Sequence, residues 1–277
     1  MLKGEKHMLC FKNGKAIKDI NVADRAFQYG DGCFTTISVK NGCLNLWHHH
    51  YARLQNATQR LFLQVDWQLI EQAEQFWQKY SHENHGTFKI LISRGVGQRG
   101  YGFSETPADV YFFLYPTAQL SCAYLHIKAG VLTQKLGLTM PHLVGIKSLN
   151  RLEQVILKQE AQQKNYKEAF VFNVADELVE GVSSNCFIYI NQQWYTPTLR
   201  QSGIHGVMRK EILVRMKQFG INCTEKVLTR SDLQQAEAAF FCNALHPVQA
   251  VSQIDHLMLN CDITQQLFNA LTLDCPL

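Results

Sequence analysis

A single lysine stands among small and polar residues in the stretch Gly145-Ile146-Lys147-Ser148-Leu149-Asn150-Arg151-Leu152. A segment containing glycine and proline precedes it, and apolar residues at helical spacing follow it, so we expect Lys147 to lie just before a helix. Taken alone, such a lysine is most often a solvated surface residue. Its interpretation therefore depends on what the rest of the chain supplies.

Three other stretches combine charged residues with small and polar ones. They are residues 24–36 (DRAFQYGDGCFTT) with residues 50–54 (HYARL) after them, residues 180–187 (EGVSSNCF), and residues 202–209 (SGIHGVMR). Glu180 is followed by small residues, which let the backbone approach a neighbouring group closely. Residues 206–209 open a predicted helix, whose unpaired N–H groups and dipole suit an anion. Arg53 adds a guanidinium, which can donate two parallel hydrogen bonds.

Composition and charge limit the classes of protein that fit. A chain of 277 residues favours two domains over one core. The net charge of +4 is small and the basic residues are scattered, so nucleic-acid binding is not predicted. The densest apolar run is too short to span a bilayer, and the 9 cysteines include no C-x-x-C pair, which indicates free thiols. We therefore expect a cytoplasmic protein with no membrane partner.

Hairpin signals alternate with helical periodicity along the chain, and this mixture indicates an α+β fold. Asn13-Gly14 and Asn41-Gly42 lie between strand-like runs, as in β-hairpins. The periodicity predicts helices from about residue 47, over 67–80, after Lys147 and over 207–219, and strands over 34–39, 88–93, 110–115, 125–131, 169–174 and 186–190. We assign residues 1–116 to an N-terminal α/β domain, 117–123 to a linker and 124–277 to a C-terminal domain that carries the lysine.

The helix after Lys147 is predicted to be amphipathic. Leu152, Val155 and Ile156 lie on one face at helical spacing. Glu153 and Lys158 lie outside that face.

Two patterns suggest other functions but lack the context that those functions need. Residues 95–100 (GVGQRG) match a dinucleotide-binding fingerprint, but the residues that follow, YGFSETP, do not start a helix well. The glycines therefore predict a flexible loop that carries Arg94 and Arg99. Residues 48–50 are three histidines, but neighbours on a helix point in different directions and no carboxylate or cysteine pattern completes a site. We predict no metal.

The order and spacing of the four stretches resemble those of the fold-type IV pyridoxal phosphate (PLP) enzymes, the class IV aminotransferase family. That family includes branched-chain aminotransferases, D-amino-acid aminotransferases and 4-amino-4-deoxychorismate lyase. The resemblance covers essentially the whole chain. The lysine stretch, the loop over residues 93–101 and residues 242–245 (CNAL) are most similar to the lyase members. The resemblance implies a two-domain, D-amino-acid aminotransferase-like fold with the cofactor at the domain interface, and a homodimer.

The resemblance also implies which residues hold PLP. Lys147 matches the lysine that binds the cofactor as a Schiff base, and Glu180 matches the carboxylate beside the ring nitrogen. The phosphate ligands implied are Arg53, the main-chain amides of Val207 and Met208, and Asn243, where relatives often have threonine.

A lyase of this family eliminates the enolpyruvyl group of aminodeoxychorismate, which gives 4-aminobenzoate, a folate precursor, and pyruvate. The implied catalytic residues are Lys147, which removes a proton from the amine-bearing carbon, and Thr36. Tyr29 lies with Thr36 on the segment that lines the substrate pocket in the family. Arg94 and Arg99 are candidates to bind the two carboxylates of this substrate.

Two alternatives to a lyase remain open. An aminotransferase acting on D- or branched-chain amino acids would need the same lysine, glutamate and phosphate ligands. A catalytically silent binding or scaffold protein on this fold is the third possibility, against which the intact pair of Lys147 and Glu180 argues. Fold alone decides none of these.

Overall fold

The computed structural model describes residues 8–103, 106–119 and 123–273. It divides the chain into two units, Met1–Ser121 with Ile146–Asn150, and Cys122–Gly145 with Arg151–Leu277. The segment around Lys147, predicted in the C-terminal domain, thus groups with the first unit, because backbone hydrogen bonds join it to a strand of that unit. The boundaries predicted for the domains and the linker otherwise stay a prediction.

A six-stranded antiparallel sheet, in the order β2-β1-β6-β5-β3-β4, is the scaffold of the first unit. Its elements are β1 (Leu9–Lys12), β2 (Lys15–Ala16), α1 (Arg25–Tyr29), β3 (Gly32–Lys40), β4 (Cys43–Leu44), α2 (Trp47–Arg60), α3 (Trp67–Glu71), α4 (Ala73–Tyr80), β5 (His85–Ser93) and β6 (Asp109–Thr117). Both predicted hairpins are confirmed. Asn13 and Asn41 have φ values of 48° and 51°, and the glycines after them are also left-handed, as tight hairpin turns require.

The strand β3 presents two different faces because side chains alternate along a strand. Thr35 and Ile37 are fully buried, and the hydrogen bond between Thr35 and His50 shows that this face turns toward α2. Phe34 and Thr36 lie on the other face and are partly exposed. The open face of β3 is therefore available to a ligand, while its closed face belongs to the core.

The second unit is built on a mixed sheet in the order β12-β11-β10-β13-β14-β15, to which β7 adds by pairing with β14. Its elements are β7 (Tyr124–Ala129), a 3₁₀ turn (Pro141–Leu143), α5 (Leu152–Gln163), β8 (Phe170–Phe172), β9 (Leu178–Gly181), β10 (Asn185–Ile190), β11 (Gln193–Pro197), α6 (Val207–Gln218), β12 (Cys223–Lys226), α7 (Arg230–Gln234), β13 (Ala238–Cys242), β14 (Val248–Ile254), β15 (Leu257–Met258) and α8 (Cys261–Ala270). Phe170, Phe172 and Phe241 lie in its core. The predicted α+β class is confirmed.

The helix α5 turns a different face to the core from the apolar face that the sequence suggests. Leu157 and Ala161 are buried in an apolar cluster, whereas Leu152, Val155 and Ile156 are 70%, 62% and 50% exposed. Helical periodicity identifies the two faces but does not say which one meets the protein interior. A solvent-facing apolar stripe therefore remains on this unit. Among the described residues, no helix is both long and apolar enough to cross a bilayer.

Candidate functional site

The backbone around Lys147 is fixed as a short addition to the start of β3. The amide of Phe34 donates to the carbonyl of Lys147 (3.0 Å), and the amide of Leu149 donates to the carbonyl of Gly32 (3.1 Å). The side chain of Asn150 donates to the carbonyl of Gly30 (3.1 Å). A Cβ at Gly32 would lie 2.9 Å from a methyl group of Leu149. The lysine is therefore held by the motif over residues 24–36, which explains why the sequence carries both.

The side chain of Lys147 lies over the open face of β3. Its Nζ is 4.7 Å from the centroid of the Phe34 ring, and Nζ of Lys89 is also 4.7 Å from that centroid. Lys89 is paired directly opposite Thr36 in the sheet, and burial lowers the pKa of its ammonium group. One face of the first unit thus combines two amines and a hydroxyl, which suits an anionic ligand.

Behind β3, three polar side chains are linked in the protein interior. Nη1 of Arg53 donates to Oγ1 of Thr35 (3.3 Å), which is 2.6 Å from Nδ1 of His50. Burial lowers the pKa of Arg53 to about 10. Burial also lowers the pKa of His50 well below its ordinary value, and the charges of Arg53 and Lys147 act in the same direction. His50 is therefore neutral at physiological pH, and Arg53 remains a cation.

In the second unit, Glu180 is buried at the end of β9. Its Oε2 accepts a hydrogen bond from the amide of Ile204 (2.9 Å) and lies 3.4 Å from Nδ2 of Asn185. Burial lowers the pKa of Arg151, while the nearby carboxylate of Glu180 opposes that shift. The carboxylate is thus oriented by backbone and amide donors, as an anion that supports a cationic ring nitrogen has to be.

The helix α6 begins with Val207 and Met208, as predicted. Its N-cap, Gly206, makes no side-chain capping bond, so the first amides of the helix have no partner within it. A Cβ at Gly206 would collide with the side-chain oxygen of Asn185. Glycine at position 206 therefore lets the polar side chain of Asn185 lie close to the start of the helix. Backbone N–H groups at the start of a helix bind anions.

Asn243, the last predicted phosphate ligand, has its side chain engaged in a turn. Its Oδ1 accepts from the amides of Leu245 (3.0 Å) and His246 (2.8 Å), and its Nδ2 donates to Oγ of Ser184 (3.0 Å). Ser184 in turn donates to the buried carboxylate of Glu168 (2.8 Å). The side chain of Asn243 thus fixes local backbone.

The two arginines of the glycine loop, residues 93–101, differ in their surroundings. Arg94 is buried; its Nε donates to Asp31 (2.7 Å), and its Nη atoms donate to the carbonyls of Leu61 (2.7 Å) and Phe62 (3.2 Å). Arg99 is exposed. The hydroxyl of Tyr29 accepts from the amide of Gly100 (3.0 Å), so Tyr29 contacts this loop. The loop was predicted to be flexible, but these hydrogen bonds hold it in place.

These residues fit the cofactor that the sequence resemblance implies. In the first unit, Lys147 and Arg53 supply an amine and a phosphate-binding guanidinium. Nε2 of His50 is buried there without a hydrogen-bond partner among the described residues, which is unusual for a buried polar atom unless a ligand satisfies it. In the second unit, Glu180 and the first turn of α6 supply the carboxylate and the N–H donors.

Sequence reasoning missed His50, Lys89 and Glu168. A lysine within the apolar strand sequence FKILIS is a signal that could have identified Lys89. His50 falls one helical turn before Arg53, a spacing that places both on the same face of α2. Glu168 gives no signal in the sequence, because its role depends on contacts with residues 183 and 184.

Comparison with known proteins agrees with this chemistry. The family model described as amino-transferase class IV matches residues 32–254. Aminodeoxychorismate lyase of Vibrio harveyi is 33% identical over 246 residues, 87% of this chain and 90% of that protein. D-alanine aminotransferase of Bacillus licheniformis is 27% identical over 241 residues, 85% of this chain and 83% of that protein. The crystal structure of 4-amino-4-deoxychorismate lyase from Pseudomonas aeruginosa superposes with a TM-score of 0.86 at 28% identity, covering 97% of this chain and 100% of that chain.

The family model matches most of the chain. The lysine beside β3 and the polar start of α6 agree with that match. The chain belongs to the class IV aminotransferase family.

Proposed function

We propose that this protein is a PLP-dependent lyase that converts 4-amino-4-deoxychorismate into 4-aminobenzoate and pyruvate. The observation that carries the proposal is the amine of Lys147 over the face that holds Thr36, in a chain similar to two such lyases over nearly its whole length. Lys89 adds a second amine on that face, which suits a substrate with carboxylates.

PLP is the cofactor of this family. When bound, it supplies an electron sink for the charge that develops on the amine-bearing carbon. Lys147 would attach it covalently, and Glu180 would keep its ring nitrogen protonated. Arg53 and the main-chain amides of Val207 and Met208 would bind its phosphate. The side chain of Asn243 would act through the Ser184 turn, since its own polar atoms are engaged there.

Lys147 would then move the proton on which the reaction depends. Once the amine of the substrate has taken its place on the cofactor, the freed Nζ would take the proton from the amine-bearing carbon of the substrate. Loss of that proton and of the enolpyruvyl group on the next carbon leaves an aromatic ring, and the released enol becomes pyruvate. The atoms balance without an oxidant or reductant. Thr36, on the same face of β3, would hydrogen-bond the substrate through its hydroxyl.

We assign the substrate carboxylate to Arg99 rather than to Arg94. The guanidinium of Arg94 already donates to Asp31 and to two backbone carbonyls, whereas Arg99 is exposed on the loop. Tyr29, predicted to contact the substrate, supports this loop through its hydroxyl. A second candidate function, D-amino-acid aminotransferase, is favoured by the similarity to the Bacillus licheniformis enzyme and would use the same cofactor ligands.

We also propose that the protein is a cytoplasmic homodimer. The apolar stripe on α5 supports the dimer, because a second copy covering Leu152, Val155 and Ile156 would remove them from water. A cytoplasmic location is supported by the cysteines of the described residues, which are all free thiols.

The purified holoenzyme is expected to release equal amounts of 4-aminobenzoate and pyruvate from aminodeoxychorismate. Lys147→Ala should abolish this activity because it removes the amine proposed to bind the cofactor and to move the proton, whereas Lys79→Ala, which changes an exposed lysine of α4, should leave it intact. Turnover of D-alanine or leucine with 2-oxoglutarate, without release of 4-aminobenzoate, would identify an aminotransferase instead.

Replacing Arg53 should weaken PLP binding. Loss of a charge-assisted hydrogen bond costs about 1.5–3 kcal/mol, so Arg53→Ala should raise the Kd for PLP roughly ten- to a hundredfold. Arg53→Lys should lose less, since it keeps the charge. The matched control is Arg60→Ala on the same helix, which should bind PLP like the parent. Equal PLP affinity in Arg53→Ala would remove Arg53 from the phosphate site.

The two loop arginines should respond differently to substitution. Arg99→Ala is expected to lower kcat/KM for aminodeoxychorismate roughly ten- to a hundredfold, with the PLP absorbance and the urea midpoint unchanged. Arg94→Ala should instead lower the urea midpoint, because it removes the donor to the carbonyls of Leu61 and Phe62 and one of the two arginines that pair with Asp31. A normal kcat/KM in Arg99→Ala would exclude the carboxylate role.

Sedimentation equilibrium should give the mass of two chains for the parent. The double variant Leu152→Asp/Val155→Asp should sediment as one chain, because it places two charges on the apolar stripe. Phe27→Asp, which changes an exposed phenylalanine of the first unit, is the control and should stay dimeric. A parent with the mass of one chain would contradict the homodimer.

A further inference from the structure

The glycine loop is hydrogen-bonded to the start of α1 along its backbone. The amide of Arg25 donates to the carbonyl of Gly95 (2.9 Å), and the amide of Gly97 donates to the carbonyl of Ala23 (3.4 Å). This pairing holds the first part of the loop beside residues 23–25. Arg99 lies two residues farther on.

Side chains of α1 hold the peptide groups on both sides of Arg99. Nη1 of Arg25 donates to the carbonyl of Gly100 (2.8 Å) and lies 3.5 Å from the carbonyl of Gln98. The hydroxyl of Tyr29 accepts from the amide of Gly100 (3.0 Å). Three contacts from one short helix therefore surround the residue that we assign to the substrate.

The carboxylate of Asp31 fixes the guanidinium that makes two of these contacts. Nε of Arg25 donates to Oδ2 of Asp31 (2.8 Å), and Nε of Arg94 donates to the same oxygen (2.7 Å). Burial raises the pKa of Asp31, but hydrogen bonds from Arg94 and Arg25 outweigh it, and the pKa lies below its ordinary value. The carboxylate is therefore charged at neutral pH, and it orients Nη1 of Arg25 toward the loop.

The packing leaves Arg25 little freedom. Its guanidinium carbon lies 4.9 Å from the centroid of the Tyr29 ring, and a Cβ at Gly97 would lie 2.8 Å from its Cδ. The side chain of Arg25 thus lies within van der Waals contact of Gly97. A side chain held at both ends in this way is preorganised, so its contacts to the loop cost little entropy.

We propose that Arg25 and Asp31 are positioning residues that hold the glycine loop so that Arg99 meets a carboxylate of the substrate. The proposal rests on the proposed function of Arg99 and adds two residues to it. Arg25 acts through the peptide groups of Gln98 and Gly100, and Asp31 acts through Arg25. Misplacing a substrate-binding group by about 1 Å can reduce the rate on the order of a hundredfold. This clamp, formed by Arg25 and Asp31, therefore determines how well Arg99 binds the substrate carboxylate.

Limited proteolysis of the holoenzyme tests the clamp without relying on activity. Trypsin cuts after Arg99 only when the loop leaves its hydrogen bonds. Arg25→Met and Arg25→Lys should each raise the rate of this cut by about tenfold. Lysine keeps a charge for Asp31 but lacks the planar fork that reaches both carbonyls, so Arg25→Lys should keep the urea midpoint of the parent. An unchanged rate of this cut in both variants would overturn the proposal.

A matched control is Arg215→Met in the second unit. Arg215 also pairs with a carboxylate, Glu211 (2.7 Å), and donates to the carbonyls of Leu271 (2.7 Å) and Thr272 (3.1 Å). Its loss should leave the cut after Arg99 at the parental rate. An equal acceleration in this control would show that general destabilisation exposes the loop, and it would overturn the clamp.

A double-mutant cycle separates this proposal from the proposed function. Arg25→Met should lower kcat/KM by about tenfold or more, and Arg25→Met/Arg99→Ala should be no worse than Arg99→Ala alone, because Arg25 acts through Arg99. Multiplied losses in the double variant would overturn the positioning role. A fully active Arg99→Ala would show that the proposed role of Arg99 is wrong. The rate of the tryptic cut after residue 99 in Arg25→Lys, measured from the new peptide ends, would still show whether Arg25 holds the loop.

Discussion

The hydrogen bonds that join the backbone of residues 147–149 to β3 fix the position of Lys147, the residue proposed to bind the cofactor. Phe34 and Leu149 each donate across this pairing, so the lysine cannot shift along the strand without breaking both bonds. A side chain at Gly32 would collide with the backbone carbonyl of Ile92 on β5 and would also crowd Leu149. A catalytic amine has to meet its substrate within a few tenths of an ångström. Backbone pairing provides that accuracy, which a lysine on a free loop would lack.

The elements of the fold could be predicted from the sequence because periodicity and turn chemistry are local. The Asn-Gly hairpins, β3, α2 and α6 lie where the residues predict them. The division of the chain into its two units was harder to predict from the sequence. Residues 146–150 belong to the first unit through pairing with residues more than a hundred positions away, and no local signal carries that information. The same limit explains why α5 could be recognised as amphipathic while its buried face was not.

The residues of the candidate site divide in the same way. Motifs indicated Lys147, Arg53, Glu180 and the start of α6, because their chemistry is carried by the residue type and its neighbours in sequence. Arg94 and Arg99 look equivalent in sequence, yet only Arg94 is buried. The difference comes from Asp31 and the carbonyls that end α2, which Arg94 satisfies. A buried guanidinium with its donors engaged is structural, and that conclusion requires the three-dimensional contacts.

Each unit also uses a carboxylate with little exposure to water to hold the structure next to a residue of the candidate site. Asp31 orients Arg25 beside the glycine loop. Glu168 accepts from the amide and hydroxyl of Ser183 and from the hydroxyl of Ser184, in the turn that directly follows β9 and Glu180. Removing a carboxylate from water is costly unless donors surround it. Each carboxylate therefore keeps its donors only while its loop or turn keeps its shape, and this requirement stabilises the loop and the turn beside the residues of the candidate site.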